Sequence, residues 1–454
     1  MKRRNLLISS LGLPLTPALL GGLSGCSSGE NPYFQGNFGP VAGETTHTGL
    51  AVSGEIPADL EGRFLRNGPN PAGEDPAGEH WFIGRGMVHG VRLRGGQAEW
   101  YRSRYVGGSA ANTNVIGHAG RTLAIVESGG LPHDMSYNLD SVGDNTGIGG
   151  FSAHPKYDPQ TGELHAMCYD WANLRDHVRY VVIDEDGELA EEAKIPLPGM
   201  PMIHDMSITE NYAVIYDLPV TLSFLALGTG ASFPFRWNDD YEPRVGLLPR
   251  GGAPEDIIWR SITPNYAYHP MNAYEDERGD VVIDIARYPR MFDTDTLGPF
   301  GDGSPRLDRW TLNPREEPGA GSVREETIDE RYQEFPRCHP ALNGQPYRYG
   351  YTVAAEGYSF PALYKHDLQT GSSWTYEVGA GRHSGEPVFV PREGASEEDD
   401  GYLLTFVFDQ ASGTSDLIIV DAQELTQLAA VHIPERVPYG FHGNWVPDTL
   451  VAPA

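Results

Sequence analysis

Four of the fifteen histidines in the chain stand in short, distinctive settings that lie far apart in the sequence. Imidazole is the commonest protein ligand for iron, copper and zinc, and four neutral imidazoles would leave a divalent ion its full charge and up to two open positions. Such a site could bind dioxygen. Gaps of 50, 65 and 173 residues separate these histidines, so only a closed fold could bring them to one axis. The four settings are Ser152-Ala153-His154-Pro155, Met202-Ile203-His204-Asp205, Tyr268-His269-Pro270 and Gly440-Phe441-His442-Gly443.

These gaps match neither the His-Glu-x-x-His helix signature nor a zinc-finger spacing, so spacing alone assigns no metal. The elements that would position the histidines are short β-rich runs closed by Asp/Gly turns, at 165–169, 178–184, 281–285, 403–409 and 417–421. Many antiparallel hairpins of this kind predict a sandwich, a barrel or a propeller. The 55 Gly and 36 Pro are spread along the 454 residues, and no long Ser/Gly linker marks an internal boundary after the first thirty.

Further motifs follow one order along the chain. They are Gly62-Arg63-Phe64-Leu65-Arg66-Asn67-Gly68-Pro69-Asn70-Pro71, His80-Trp81-Phe82, Gly86-Met87-Val88-His89-Gly90, Ala111-Asn112-Thr113-Asn114-Val115-Ile116, Phe151-Ser152-Ala153-His154-Pro155, His204-Asp205, His269-Pro270-Met271-Asn272-Ala273-Tyr274, Glu334-Phe335-Pro336-Arg337, Ser384-Gly385-Glu386-Pro387-Val388-Phe389-Val390 and Phe441-His442-Gly443. Together they resemble the carotenoid cleavage oxygenases and their lignostilbene dioxygenase relatives, over about residues 31 to 447. The resemblance implies an all-β, seven-bladed β-propeller, a single domain over 26–454, with a loop and helical cap over an axial metal site.

The same resemblance implies a site, residue by residue. His154, His204, His269 and His442 would bind one Fe(II) ion, and Thr113 would present its methyl group beside an open iron position. Three glutamates, Glu127, Glu334 and Glu386, would accept hydrogen bonds from the ligating imidazoles and fix their tautomers. Each glutamate is flanked by apolar residues, where an unpaired carboxylate would be costly. Four other histidines in or near matched segments are not needed for this set: His80, His89, His118 and His133.

The reaction that the resemblance implies is scission of a carbon–carbon double bond by dioxygen, which gives two carbonyl products. No Gly-x-Gly-x-x-Gly or Walker-type phosphate loop stands where one would function. Lignostilbene-type relatives engage a phenol with a lysine and a tyrosine, but the lysine expected near Glu127 is absent and Tyr101 alone supports that reading. We therefore expect an apocarotenoid or another apolar, carotenoid-like polyene. Stilbenoid or phenylpropenoid cleavage and a non-catalytic, lipid-anchored binding propeller remain the alternatives.

The apolar run at 218–227, which continues to 233–235, is expected in the cap. It could form a substrate tunnel or membrane-facing mouth, or it could be ordinary packing of the cap.

The N-terminus predicts export. Lys2-Arg3-Arg4, the apolar stretch 6–23 and Leu23-Ser24-Gly25-Cys26 fit a signal over 1–25 that ends in a lipobox. We expect a cell-envelope lipoprotein anchored through Cys26; a soluble signal-peptide product is the alternative, and the paired arginines also fit twin-arginine export.

Cleavage after residue 25 would leave 30 basic and 62 acidic side chains, a net charge of −32, which argues against nucleic acid or anionic lipid as an electrostatic partner. Cys168 and Cys338 form no Cys-x-x-Cys motif, and no essential thiol is expected.

Overall fold

Strands make up most of the regular structure in the computed structural model, which describes residues 31–71, 80–107, 110–316 and 323–453. The strands of the first half are β1 (Thr45–Thr48), β2 (Ala51–Gly54), β3 (Gly62–Pro69), β4 (Gly86–Arg94), β5 (Gln97–Tyr105), β6 (Asn114–His118), β7 (Arg121–Ile125), β8 (His133–Met135), β9 (Ser141–Asp144), β10 (Lys156–Tyr157), β11 (Leu164–Cys168), β12 (His177–Ile183), β13 (Leu189–Pro196), β14 (Met206–Ile208), β15 (Tyr212–Asp217) and β16 (Val220–Leu222).

The described residues contain one short α-helix, α1 (Phe224–Gly228), and further strands follow it. They are β17 (Phe235–Trp237), β18 (Arg244–Pro249), β19 (Ile258–Ser261), β20 (Tyr266–Glu275), β21 (Val281–Tyr288), β22 (Arg306–Leu312), β23 (Val323–Asp329), β24 (Gln333–Cys338), β25 (Tyr349–Ala354), β26 (Ala362–Asp367), β27 (Ser372–Glu377), β28 (Arg382–His383), β29 (Val388–Pro391), β30 (Gly401–Asp409), β31 (Thr414–Asp421), β32 (Gln427–Ile433) and β33 (Gly443–Pro447). Short 3-10 turns lie at Pro32–Phe34, Gly36–Phe38, Pro254–Asp256 and Pro340–Leu342.

Within the described ranges, these strands form seven antiparallel sheets and one separate hairpin, β16–β17. The sheets have the orders β1-β5-β4-β3-β33, β6-β7-β8-β9, β10-β11-β12-β13, β14-β15-β18-β19, β20-β21-β22-β23, β24-β25-β26-β27 and β2-β32-β31-β30-β28, with β29 beside β30. This arrangement confirms the predicted all-β, seven-bladed β-propeller.

Strands from opposite ends of the chain close the ring. β33 pairs with β3 in the first sheet, with Phe64 opposite Trp445, and β2 pairs with β32 in the last sheet, with Ala51 opposite His432. Each exchange leaves fewer unpaired strand edges than an open row of sheets would have. From Asn31 onward the chain forms one compact unit.

Turn chemistry explains much of the strand pattern. β12 ends in the predicted Asp/Gly turn, where the N–H of Gly187 donates to the carbonyl of Asp184 at 3.0 Å and Gly187 has a φ of 84°. This left-handed conformation favours glycine because a side chain would be strained there. Buried side chains from three neighbouring sheets then fill the space between the blades, as with Val182, Leu247 and Trp310.

The innermost strand of each blade lies next to the centre of the ring. Neighbouring innermost strands contact one another from β14 through β20, β24, β29 and β33 to β6. Residues at the starts of these strands therefore converge on one axis. In the part of the chain that the structure describes, no helix is both long and apolar enough to span a membrane.

Candidate metal centre and adjoining cavity

The four histidines named from the sequence meet at this axis. His154 precedes β10, His204 precedes β14, His269 lies within β20 and His442 precedes β33. All four are buried, and one ring nitrogen from each lies within 4.8 Å of the others. Ring centroids of His154 stand 4.4 Å from those of both His204 and His442. Four segments spread over almost three hundred residues thus supply a single cluster.

Three of the histidines pair with the three predicted glutamates. Distances from Nδ1 to the carboxylate oxygen are 2.8 Å for His204 with Glu127, 2.7 Å for His269 with Glu334 and 3.0 Å for His442 with Glu386. A carboxylate that accepts from Nδ1–H leaves Nε2 without a proton and fixes the ring orientation. The glutamates thereby direct Nε2 lone pairs toward the centre of the cluster.

These lone pairs provide a test of whether a cation fits the centre. Nε2 of His204 and Nε2 of His269 lie 3.2 Å apart, and Nε2 of His154 is buried without a hydrogen-bond partner among the described residues. Two unprotonated nitrogens at that distance repel each other, and a buried unpaired nitrogen carries a desolvation cost. A shared cation would relieve both, so the residues present fit a metal ion.

Irregular backbone turns the inner side chains toward the axis. The β20–β21 register shifts on both sides of Pro270, immediately after His269, and the β24–β25 register shifts between Glu334 and Arg337. Proline lacks the N–H that a regular ladder needs, and bulges re-aim the side chains around them. Phe335, directly after Glu334, has a φ of 51°, a strained value for a bulky residue.

His154 is the histidine without a glutamate partner. Its Nδ1 lies 3.7 Å from Oδ2 of Asp205, which is beyond hydrogen-bonding distance. Asp205 is instead held by Lys156, whose Nζ lies 2.8 Å from Oδ1, and by the backbone N–H of Met206 at 2.5 Å. The His154 side of the cluster therefore has a buried ion pair where the other sides have a directly bonded carboxylate.

Burial favours the neutral form of three of the imidazoles, those of His154, His269 and His442. It lowers the pKa of His154 and of His269 well below the usual value, and neighbouring imidazoles lower both further. Burial also lowers the pKa of His442, although Glu386 opposes this shift. Neutral imidazole is the form that binds a metal.

The glutamates differ in charge state. Burial raises the pKa of Glu334 to about 8. For Glu386 burial also acts upward, but Arg337 and then His442 bring its pKa down to about 2.

A cavity of about 260 Å³ adjoins His204, His269 and His442. Aromatic side chains form much of its wall, and its polar lining comes from uncharged groups and from Glu127 and Glu334. No lysine or arginine lines it among the described residues. The aromatic lining residues are Trp81, Phe82, Trp171, Phe233, Tyr268, Tyr288, Phe300, Phe335 and Phe441. Such a lining suits a flat, apolar ligand.

Thr113, the remaining predicted site residue, also lines the cavity. Its hydroxyl donates to Oδ1 of Asn112 at 2.9 Å, and its carbonyl accepts from the N–H of His442 at 3.1 Å. Asn112 is itself held by the carbonyls of Phe82 and Gly84. The threonine therefore sits beside the cluster with its hydroxyl already engaged.

The apolar run at 218–227 and 233–235 includes cavity-lining residues, packed residues and exposed residues. Phe233 lines the cavity, and the β16–β17 hairpin packs its apolar side chains inside the protein. Phe224 and Leu225 on α1 are 61% and 78% exposed. The run is thus part cavity wall, part packing and part exposed apolar surface.

Tyr101 does not support a phenol-binding role. It is buried in β5, its hydroxyl lies 2.9 Å from Nδ1 of His89, and it is not among the residues lining the cavity. Its position in a strand among buried residues explains why it cannot reach the site. The other three histidines that were set aside also have partners or packing elsewhere: His80 stacks on Phe233, His118 bonds the Asp184 carbonyl and His133 lies between Asp144 and Ser141. Cys168 and Cys338 are not disulfide-bonded.

Sequence reasoning assigned no role to two residues of the site. Arg337 lies in a quoted motif three residues after Glu334, and it places Nε 2.9 Å from Oε1 of Glu386. Tyr268 directly precedes His269 and lines the cavity. Their adjacency to assigned residues was a usable signal in both cases.

The protein is thus a β-propeller with a candidate metal centre on its axis. Four buried imidazoles form this centre, and three of them are hydrogen-bonded to carboxylates. The sequence pattern of the retinal pigment epithelial membrane protein (RPE65) family matches residues 38–110 and 106–447. The carotenoid cleavage oxygenase of Mycobacterium tuberculosis is 43% identical, over 92% of this chain and 98% of that protein. The chain belongs to the carotenoid cleavage oxygenase family.

Other relatives agree with this assignment. A carotenoid 9,10(9',10')-cleavage dioxygenase of Crocus sativus is 30% identical, over 91% of this chain and 89% of its own. The solved lignostilbene dioxygenase of Pseudomonas brassicacearum has a TM-score of 0.82 at 27% identity, and covers 92% of this chain and 98% of its own. Cobalt-substituted Synechocystis apocarotenoid oxygenase has a TM-score of 0.81 at 28% identity, with coverages of 90% and 97%. The prediction of a dioxygenase-type enzyme is confirmed.

Proposed function

We propose that the protein is a non-haem Fe(II) dioxygenase that cleaves a carbon–carbon double bond of a carotenoid- or apocarotenoid-like polyene. The observation that carries this proposal is the joining of the four-histidine cluster to an aromatic cavity. Imidazole ligands suit several divalent metals, but four neutral nitrogen donors leave open positions that dioxygen chemistry requires. The reaction balances as one alkene and one O2 giving two carbonyl products.

His154, His204, His269 and His442 would hold the ion, which when bound supplies the activation of dioxygen. Glu127, Glu334 and Glu386 orient three of these imidazoles through Nδ1. This leaves the chain the tasks of fixing ligand geometry and keeping the site dry.

Positioning of the alkene falls to the cavity wall. Trp81 and Phe82 contact Phe441 edge-on, with ring centroids 4.8 and 5.5 Å apart, so they form a fixed surface beside His442. Aromatic faces and edges bind a flat conjugated chain without polar partners and exclude water from its double bonds. Thr113 lines the cavity beside Asn112, and we expect its methyl group to restrict the side from which dioxygen approaches the cluster.

The lining favours a polyene over a stilbenoid. A phenol-binding site of the lignostilbene type would use a lysine, and the described lining contains no cationic side chain. The tyrosine considered for that role, Tyr101, is engaged with His89. These two features support the polyene reading, and relatives named for carotenoid cleavage support it further.

The test combines metal analysis with isotope labelling. Purified protein should hold one iron per chain, and with ¹⁸O2 it should convert a polyene into two carbonyl products that each carry one ¹⁸O. A stilbene offered in parallel should react more slowly. Label in only one product would contradict a dioxygenase, and faster stilbene cleavage would favour the stilbenoid reading. Full iron occupancy with no product from either class would favour a binding propeller. His118→Ala is the control, because this histidine bonds the Asp184 carbonyl.

We also propose that Cys26 carries a lipid anchor and that the anchor gives access to membrane-dissolved substrate. The export signal, residues 1–25, and Cys26 lie outside the described residues, so the proposal rests on Leu23-Ser24-Gly25-Cys26. A net charge of −32 after cleavage offers no electrostatic route to an anionic membrane, whereas each buried acyl methylene contributes about 0.8 kcal/mol.

A Cys26→Ser variant tests the anchor. It should appear in the soluble fraction, keep its iron and cleave detergent-dispersed substrate normally, but cleave membrane-embedded substrate slowly. Membrane retention of this variant would rule out the anchor. Unchanged turnover of membrane-embedded substrate would rule out the role in access.

A further inference from the structure

The Lys156–Asp205 ion pair joins two of the segments that bear the clustered histidines. Lys156 begins β10 and stands two residues after His154, whereas Asp205 directly follows His204 and precedes β14. Nζ of Lys156 lies 2.8 Å from Oδ1 and 2.9 Å from Oδ2 of Asp205, so it contacts both carboxylate oxygens. β10 and β14 also contact one another, and each is the edge strand of its own sheet. The ion pair therefore connects two neighbouring blades beside their histidines.

Burial makes this connection costly to break. The side chain of Asp205 is 2% exposed and that of Lys156 is 18% exposed. No other lysine or arginine among the described residues forms an ion pair with Asp205. A buried charge that loses its partner is left uncompensated, which is strongly unfavourable. Because separation of the two segments would have this cost, the ion pair holds them at a fixed spacing.

His154 is the histidine that this ion pair is placed to position. The other three clustered histidines are each oriented by a glutamate at Nδ1. Nδ1 of His154 lies 3.7 Å from Oδ2 of Asp205, which is too long for a hydrogen bond, and its ring centroid lies 4.4 Å from that of His204. Lys156 cancels the charge of Asp205, so the ion pair adds no net charge beside the cluster. A glutamate partner, in contrast, adds a negative charge when it is ionised.

We propose that Lys156 and Asp205 act together as positioning residues for His154, and that their ion pair fixes the separation of His154 from His204 and so the geometry in which the cluster holds a metal. This inference rests on the proposed function, because it takes the cluster to be the metal site. Geometry, together with ligand type, governs which divalent metal a site holds. Residues that orient metal ligands typically contribute about 10- to 100-fold in metal affinity.

The main test replaces both members of the ion pair. Lys156→Met combined with Asp205→Asn leaves the net charge beside the cluster unchanged, and asparagine keeps an oxygen that accepts the N–H of Met206. Co(II) loaded in place of iron is the probe, because its visible absorption bands depend on coordination geometry. Competition with a chelator gives its affinity. The double variant should bind Co(II) about 10-fold more weakly than the native protein and show shifted bands.

The two single variants separate the effect of position from the effect of charge. Asp205→Asn breaks the ion pair and leaves the ammonium of Lys156 unopposed, so it should weaken Co(II) binding more than the double variant does. Lys156→Met also breaks the ion pair, but it leaves a negative charge near the cation, so it should weaken binding less than the double variant does. Tighter Co(II) binding by Lys156→Met, together with native binding by the double variant, would show that the pair acts through charge alone and would overturn the proposal.

A second buried Lys–Asp pair provides the matched control. Nζ of Lys365 lies 2.6 Å from Oδ2 of Asp399, and the two side chains are 5% and 12% exposed. Lys365 lies on β26, a strand that carries none of the clustered histidines. Lys365→Met combined with Asp399→Asn should lower the urea midpoint of the metal-free protein, as the first double variant does, but leave the Co(II) bands and affinity unchanged. Equal effects of the two double variants on Co(II) would show that the Lys156–Asp205 pair only supports the fold.

These outcomes are separate from those for the proposed function. Native protein that bound neither iron nor Co(II) would remove the metal centre and the proposed function with it. Native Co(II) bands and affinity in the double variant would leave the metal centre intact and overturn only the positioning role. If the double variant does not fold, Asp205→Asn alone carries the test, because it keeps the shape of the side chain. Native Co(II) bands and affinity in that variant would overturn the proposal.

Discussion

Glu334 and Glu386, on two sides of the candidate metal centre, each hold a histidine but have different charged neighbours. Glu334 and Glu386 are both deeply buried, and each bonds Nδ1 of a clustered histidine. Glu386 has Arg337 beside it and accepts the N–H of Gly443 at 2.8 Å. Glu334 accepts the N–H of Phe335, but none of its ion pairs is with lysine or arginine in the described chain. Their pKa values of about 8 and about 2 differ because of this neighbouring cation.

The comparison indicates where a bound cation matters most. Glu386 is ionised by its own surroundings, whereas Glu334 is largely protonated at neutral pH until a positive charge enters the cluster. The Glu386 side is thus preorganised by Arg337. The Glu334 side depends on the metal for its charge, and loss of the metal should disturb it more.

Removal of the histidines should have the largest effect. His154→Ala, His204→Ala, His269→Ala and His442→Ala should each lower iron content and cut activity about 100-fold or more, beyond the 10- to 100-fold typical of outer partners. Each vacancy admits water and loosens the remaining ligands. Metal analysis beside initial rates is the measurement. Stoichiometric iron in all four variants would show that the cluster is not the metal site.

Replacing the glutamates should have the next largest effect. Glu127→Gln, Glu334→Gln and Glu386→Gln keep an acceptor oxygen but remove the charge, so metal affinity or activity should fall about 10- to 100-fold. Glu386→Gln should lie at the upper end, because it also leaves Arg337 without its carboxylate partner. Competition with a chelator gives the affinities. Near-native metal affinities in all three variants would show that these side chains only fill space.

Arg337→Met should give a smaller change in metal affinity, and this change measures the contribution of the guanidinium alone. Without the guanidinium, Glu386 becomes a buried carboxyl like Glu334, and metal affinity should fall about 3- to 10-fold, from the loss of one charged hydrogen bond partly screened by solvent. Arg331→Met is a suitable control, since Arg331 pairs with Asp329 outside the cluster. If Arg337→Met changed affinity no more than this control, the contrast between the two sides would not depend on Arg337.

Sequence motifs predict most residues of this site, but they do not predict that Glu334 and Glu386 differ in charge state. His442 and Glu386 were assignable because each stands in a distinctive short segment that resembles one family. The charge state of Glu386 depends on Arg337, which lies 49 residues earlier in the sequence and contacts it only in the folded protein. Tyr101, the weak support for the stilbenoid alternative, is not among the cavity-lining residues, and sequence order does not report which face of β5 its side chain occupies. Blade count likewise came from resemblance, because the strands carry no repeating signature.

The smallest expected effect is a difference in how stability depends on pH in the metal-free protein. The pKa of Glu334 is raised from 4.5 to about 8, so the folded state keeps a proton that the unfolded chain releases. Its contribution is full below pH 4.5 and is lost as the pH rises to about 8. The pKa of Glu386 is lowered to about 2, so its contribution is present above pH 4.5 and is lost as the pH falls toward 2.

The two glutamine variants should therefore respond in opposite pH ranges. Between pH 5 and pH 8, the free energy of unfolding should fall less in Glu334→Gln than in the native protein. The difference should be about 1 kcal/mol, because relaxation of the folded protein makes it smaller than the roughly 1.4 kcal/mol expected for each pKa unit. Between pH 4.5 and pH 3, the free energy of unfolding should fall less in Glu386→Gln than in the native protein, because the variant has no carboxylate at this position to be protonated. Urea midpoints of the metal-free proteins across this range provide the measurement. Parallel pH profiles for the two variants would mean that Arg337 does not separate the charge states of the two sides.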